Sequence, residues 1–242
     1  MKRLLLLFAT ILPLAAAAQS DSTAARIVDR YLKIMNIDAL PADSMLVVNT
    51  QIVYPATGDT FNMRRLYAQP MMFRVEVRDS KGKLQTGFCS NGKNRYRSFS
   101  PEKGWWRDIP AANFYNRFKG FDIRGPLYTW RTDNAYITYR GRTEYKGQQL
   151  EVVHYSAPGF FKRLYMFEES GLLSVILEED SIDGDYEVPA DAHIDWKCIH
   201  EYTMVGPALL PSVESFMRKE LLTVMRSEMH LEKRDNLQFN QD

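Results

Sequence analysis

From Met45 onward the chain is built on a period of two. In MMFRVEVRD, Phe73, Val75 and Val77 fall on one face and Arg74, Glu76 and Arg78 on the other, the alternation of a half-buried β-strand. The same rhythm runs through MLVVNTQIVY, TFNMRRLYAQ, KLQTGFCS, KNRYRSF and GWWRDI. It resumes in AYITYRGRTEY, QLEVVHYS, FKRLYMFEE, LLSVILEED, IDWKCIHEYTMV, LLPSVESFMRK and TVMRSEMHLEK. Turn residues punctuate it at PATGD, Gln69-Pro70, Asn91-Gly92, Lys146-Gly147, Ala157-Pro158-Gly159 and Ser170-Gly171, where Gly, Pro and Asn supply the backbone angles a reversal needs. Short connections between roughly a dozen strands dictate one antiparallel sheet, and a sheet this wide must curl. Its concave face then needs helical cover. Ser22–Asn36 has the helical spacing for that, with Ile27, Val28, Tyr31, Leu32, Ile34 and Met35 interleaved with Arg26, Asp29, Arg30 and Lys33. PAANFYNRF, opened by Pro110, is the expected second helix.

The N-terminus speaks to compartment. Lys2 and Arg3 precede an apolar run from Leu4 to Leu14 and the small residues Ala15–Ala18. The run is shorter than the roughly 20 residues of a membrane-spanning helix, so residues 1–18 read as a cleavable signal peptide and 19–242 as one exported domain. Losing Lys2 and Arg3 takes the formal charge from +1 to −1, which leaves no global basic field for nucleic acid. Cys89 and Cys198 are too few for a disulfide scaffold. Pairing in an oxidising compartment and two buried thiols both remain open.

Catalytic patterns are missing. His154, His193, His200 and His230 lie in separate segments without HExxH or HxH spacing, and no GxSxG elbow, phosphate loop or dinucleotide fingerprint occurs. Ser90-Asn91-Gly92-Lys93 matches SxxK only formally, in a hairpin turn. The carboxylates of DSIDGDYEVPADA (Asp180, Asp183, Asp185, Glu187, Asp191) depart from EF-hand order and read as a solvated loop. No catalytic residue, cofactor or metal is therefore expected, and the protein reads as a non-enzyme. Arg95, Arg97 and Arg107 interleave with Tyr96, Phe99, Trp105 and Trp106 as ordinary cross-strand pairs of a strand face would.

What remains is an excess of apolar side chains. FKRLYMFEE and LLSVILEED carry large groups on both faces, and the chain holds 11 Met, 13 Phe, 13 Tyr and 4 Trp, soft or flat groups that adapt to irregular ligands. In GWWRDIP the adjacent Trp105 and Trp106 must point to opposite faces of a strand; alternation alone does not say which one lines the concave side.

The order of several motifs resembles the outer-membrane lipoprotein-sorting or lipoprotein-carrier family, the LolA/LolB-like group, in its Bacteroidetes-type exported members. They are the helix ARIVDRYLKIMNIDAL, the strand PMMFRVEV, the hairpin GFCSNGKNRYRSF, GFDIRGPLYTW, TEYKGQQLEVVHYS, RLYMFEESGLLSVILEED and HEYTMVGPALLPSVESF. Ser90-Asn91 stands where the family hairpin has an aspartate, and the chain ends at LQFNQD without the family's closing phenylalanine segment. The resemblance implies a mainly β (α+β) fold: a strongly curved antiparallel incomplete β-barrel with helices covering the concave face. It implies a periplasmic carrier or binder of lipid or lipoprotein acyl chains in a hydrophobic cavity. The expected lining is Phe73, Val75, Trp105, Trp106, Phe114, Phe118, Leu127, Tyr128, Leu164 and Met166, with Arg65, Arg74, Arg95 or Arg97 near the rim. The alternative is an envelope module that docks other proteins on the curved sheet.

Overall fold

The computed structural model describes residues 21–68, 72–93, 95–110, 124–157, 162–179, 196–218 and 221–239. The expected signal peptide, most of PAANFYNRF and the acidic loop fall outside them. The described chain opens with helix α1 (Ser22–Met35), whose buried face is Ala24, Ile27, Val28, Tyr31 and Met35. Asp21 caps it, its carboxylate accepting from Thr23 N at 2.8 Å. At the other end Asn36 adopts φ 47° and its N–H bonds Leu32 O, the left-handed stop that asparagine tolerates.

Thirteen strands follow among the described residues. They are β1 (Ser44–Tyr54), β2 (Asp59–Ala68), β3 (Met72–Asp79), β4 (Leu84–Asn91), β5 (Tyr96–Ser100), β6 (Trp105–Asp108), β7 (Tyr136–Tyr145), β8 (Gln148–Ser156), β9 (Lys162–Phe167), β10 (Leu173–Glu179), β11 (Trp196–Val205), β12 (Ala208–Arg218) and β13 (Leu221–Lys233). They form one sheet in the order β6-β5-β4-β3-β2-β1-β13-β12-β11-β10-β9-β8-β7. Every neighbouring pair is a sequential hairpin except β1–β13, which runs antiparallel from Ser44↔Lys233 to Val53↔Val224. Two meanders are thus sewn together at the first and last strands. Their outer edges, β6 and β7, are not paired with each other, so the curved sheet is an incomplete barrel, and residues 124–135, here called the crossing segment, place Leu127, Trp130 and Ala135 in the inner core.

The hairpins follow local rules. At β4–β5, Gly92 takes φ 74°, while Asn91 Oδ1 accepts from Lys93 N (3.0 Å) and Arg95 N (3.1 Å). An asparagine oxygen there holds the turn as an aspartate would. Pro211 is tolerated within β12 because the β11–β12 register shifts between Ile199 and Tyr202.

Both faces of the sheet carry apolar clusters. The inner face and α1 share the main core, which includes Leu46, Val48, Tyr67, Phe73, Val75, Phe88, Ile137, Val153, Tyr165, Phe167 and Leu210. The outer face carries two smaller clusters. One is Leu150, Val152, Leu164, Met166, Val175, Leu177 and Cys198, flanked by Tyr145 and Trp196. The other is Met45, Val47, Leu66, Ala68 and Met72, capped by Phe239 of the short 3₁₀ turn Asn236–Phe239. Arg74 braces that side: it is 6 % exposed, donates to Glu76 and to Gln238 O (2.9 Å), and its guanidinium lies 5.3 Å from the Trp106 ring centre. Cys89 and Cys198 are free and buried, on strands far apart in the sheet, which settles the open question of their pairing. Burial pushes the Cys89 thiol up.

Candidate functional site: the cavity inside the curved sheet

The inward positions of β1, β2, β3, β9, β10, β11, β12 and β13 surround a cavity of about 500 Å³, covered by Tyr31 of α1 and by residues 124–127 of the crossing segment. Its apolar wall includes Ile52, Met63, Val77, Leu127, Tyr165, Leu173, Ile176, Ile199, Phe216 and Met225. The cover is tied down from two sides. Arg131 donates twice to the Asp29 carboxylate, both at 2.8 Å, joining the crossing segment to α1. At the start of α1, Asp21 N donates to Ile137 O (3.2 Å), and the Asp21 carboxylate accepts from Tyr139 N (3.0 Å). That second contact is the main reason the Asp21 carboxyl sits below the ordinary aspartate value.

Charges stand among the apolar groups. Arg65, Arg124, Arg163, Lys197 and Glu214 also line the cavity. Lys197 is ion-paired to Glu214, whose side chain is 6 % exposed, and lies 5.1 Å from the Phe216 ring centre. Arg65 Nη2 donates to Thr50 Oγ1 at 3.4 Å. The Arg124 guanidinium stacks on Tyr67 (5.1 Å) and Tyr128 (4.6 Å). Tyr31 is buried and Tyr202 half-buried, its hydroxyl donating to Leu173 O at 2.6 Å; burial pushes the ionisation of both phenols far up, so they are neutral at any ordinary pH. A larger groove of about 970 Å³ lies on the outer face, but Asn49, Gln51, Asn62, Arg64, Glu76, Arg78, Arg226 and Glu228 make it polar. An open, polar groove cannot shelter an acyl chain from water.

The expected lining residues are distributed unevenly. Leu127 lines the cavity. Phe73 and Val75 face inward, 1 % and 0 % exposed, but in solid core, and Val77 is the residue of that row that reaches the cavity. Tyr128 sits at the outer margin of the cover, its hydroxyl donating to the Asp38 carboxylate. Leu164 and Met166 correct the expectation: they point to the outer cluster, while their neighbours Tyr165 and Phe167 take the inner face. Phe114 and Phe118 lie outside the described residues.

The two tryptophans separate by register. Trp106 pairs with Phe99 on the outer face, in edge contact at 5.9 Å between ring centres, and lies over Gly87. Trp105 pairs with Ser100 and shares the parity of Ser98 and Phe88, at the rim of the inner side, 51 % exposed. Of the arginines proposed for the rim, Arg65 lines the cavity, whereas Arg74, Arg95 and Arg97 lie on the outer face, the last two within 3.4 Å of Asp108. Arg163, Lys197 and Arg124 were not anticipated. The available signal was a cation at an inward parity position, Arg163 two residues before Tyr165 and Lys197 two before Ile199.

No helix among the described residues is long and apolar enough to cross a membrane, and among them no three His, Cys, Asp or Glu side chains converge as metal ligands would. No family model matches the sequence, and comparison with curated proteins finds no match. Solved structures do match. A LolA superfamily protein of Nitrosomonas europaea superposes with TM-score 0.58 at 13 % identity, over 90 % of this chain and 98 % of the other. A DUF1329 family protein of Desulfovibrio piger gives 0.59 at 9 % identity, over 90 % and 97 %. A structure described as an outer membrane lipoprotein-sorting protein domain, from Vibrio parahaemolyticus, gives 0.55 at 10 %, over 88 % and 97 %. The coverage is nearly end to end. The chain has the LolA-like fold.

Proposed function

We propose that this protein is a non-enzymatic carrier or binder of lipid or lipoprotein acyl chains, exported to the periplasm by its N-terminal signal and holding its cargo in the inner cavity. The observation that carries the reading is the cavity itself. About 500 Å³ beneath α1 and the crossing segment falls within the roughly 300–1,000 Å³ of small-molecule sites. Each methylene taken from water contributes about 0.8 kcal/mol, so about ten of them supply ~8 kcal/mol. Association costs of order 4–15 kcal/mol offset most of that, which leaves a cargo that can be released again. The ion pair that joins the crossing segment to α1 is exposed, so parting those two pieces of the cover costs little, while the start of α1 stays anchored to β7.

The test is binding of a fluorescent acyl probe, such as dansyl-undecanoate, to detergent-free protein, with native mass spectrometry of what co-purifies. Saturable binding that Ile176→Trp abolishes, in a variant that still melts cooperatively, supports the reading. A protein that purifies empty and ignores acyl probes refutes it.

A further inference from the structure

Resting on the carrier reading, we infer that the cavity admits one acyl chain per protein. The cargo is then a single-chain amphiphile (a fatty acid, a lysophospholipid or a monoacylated peptide) and not a diacyl phospholipid or a triacylated lipoprotein.

Capacity sets the limit. A methylene fills about the space of a water molecule, whose share of the liquid is roughly 30 Å³. A cavity of about 500 Å³ therefore holds roughly sixteen methylenes, which is one long chain. The paired chains of a phospholipid need about twice that volume, and three chains about three times. The lining is also drawn out along the strands, from Pro211 to Phe216 on β12 and from Ile52 to Tyr54 on β1, with Tyr31 and Leu127 lying over it. That is a slot for a chain lying lengthwise.

The walls resist enlargement. Helix α1 is held at three points along its length. Its start is bonded to β7 through Asp21. Its middle meets β8, where Arg30 Nη2 donates to Glu151 Oε2 at 2.8 Å. Its end reaches the β11–β12 turn, where Asn36 Nδ2 donates to Pro207 O at 3.1 Å. The inner face of the helix is sealed as well: Ala24, Ile27, Val28, Tyr31 and Met35 are each 5 % exposed or less. Swinging α1 aside to admit further chains would return that whole face to water. The rest of the concave side is already filled, by Phe73, Val75, Phe88, Val153, Tyr155 and Phe167 of the same core, and close-packed interiors do not stretch. The exposed Arg131–Asp29 pair is the weak tie. Parting it frees the crossing segment and opens a way in, without moving the helix that fixes the capacity.

The experiment uses the full domain, free of detergent. Displacement of dansyl-undecanoate is measured for octanoate, dodecanoate, hexadecanoate and eicosanoate, and for hexadecanoyl lysophosphatidylcholine. Transfer from phosphatidylcholine vesicles is measured for one peptide carrying one, two or three palmitoyl chains. Affinity for the acids should rise about fourfold per added methylene and level off at about sixteen carbons. The monopalmitoyl peptide should leave the vesicles with the protein roughly tenfold or more readily than the other two, because a chain that finds no room is left in water. Phe216→Ala, which widens one end of the lining, should move the levelling point to longer chains. Extraction of the tripalmitoyl peptide as readily as the monopalmitoyl form overturns this inference and leaves the carrier reading standing. So does a chain-length profile that never levels, or a levelling point that stays put in a folded Phe216→Ala protein. Binding of none of the compounds overturns the carrier reading itself. The wild-type comparisons hold even if the variant fails to fold.

Discussion

Leu164→Ala tests the assignment of faces most directly. Leu164 is fully buried and packs in the outer cluster with Val152, Met166, Val175 and Leu177. Truncation removes buried methyl groups and leaves a void, which in protein cores costs about 2–5 kcal/mol according to how far the site can collapse. Among the described residues Tyr145 and Trp196, both partly exposed, flank the cluster, so neighbours can settle inward and the lower end applies, about 2–3 kcal/mol. For a domain of this size each kcal/mol lowers the melting temperature by roughly 2–4 °C, giving a fall of about 4–12 °C. Acyl-probe affinity, measured well below the new midpoint, should stay at the wild-type value, because the truncated side chain faces away from the cavity. Ile176→Trp, whose side chain lines the cavity, should show the reverse: little change in melting and loss of probe. The two assays are circular dichroism melting and fluorescence titration on the same samples. A Leu164→Ala protein that melts normally but loses the probe would refute the face assignment and restore the lining read from sequence.

Gly87→Ala would place a Cβ 2.7 Å from Trp106 Cη2 and 3.1 Å from Val75 O, forcing the indole off the sheet at about 1–3 kcal/mol; most of that cost should vanish in a Trp106→Ala background, as a double-mutant cycle would show. Because the Tyr139 amide holds the folded Asp21 carboxyl below its ordinary value, its stabilisation is present above the unfolded pKa and is lost as pH falls through the depressed folded one. Asp21→Asn should therefore flatten the acid limb of melting temperature against pH. Arg131→Ala removes an ion pair whose partners are 56 % and 47 % exposed, so stability should change by no more than about 1 kcal/mol, checked by urea titration. Cys89 and Cys198, both buried and free, should resist a thiol reagent in the native protein and react, two per chain, only in denaturant.

All thirteen strands stand in the sequence as period-two runs, because each has turn residues at its ends and a neighbour supplied by the next hairpin. The helix was equally plain, its apolar stripe uninterrupted and its caps at Asp21 and Asn36 local. Facing was not legible. In β9 the residues Leu164, Tyr165, Met166 and Phe167 are all 1 % exposed or less, so hydropathy gives no sign of which pair looks inward; the register with β8 and β10 decides it. The Trp105–Trp106 ambiguity has the same cause and was resolved by the pairing with β5. The cavity cations were missed for a related reason. Arg163 and Lys197 are single charges within strands, and only when two halves of the sheet are brought together does their convergence with Arg65 exist at all.

The seam between β1 and β13 has a kinetic consequence. Every other strand pair joins strands consecutive in the chain, across sixteen residues at most, whereas this one joins residues 44–53 to residues 224–233. It must await the last strand, since no other stretch of the chain supplies β1's second neighbour. A chain that emerges N-terminus first therefore presents β1 with one ladder of backbone donors and acceptors unmatched until the final strand has been made, the state in which a sheet recruits strands from other molecules. Folding should accordingly be slow, with late closure of this one register. Loss of the last thirteen-residue strand should be more damaging than its position near the chain's end would imply, leaving two meanders with nothing to hold them as one sheet.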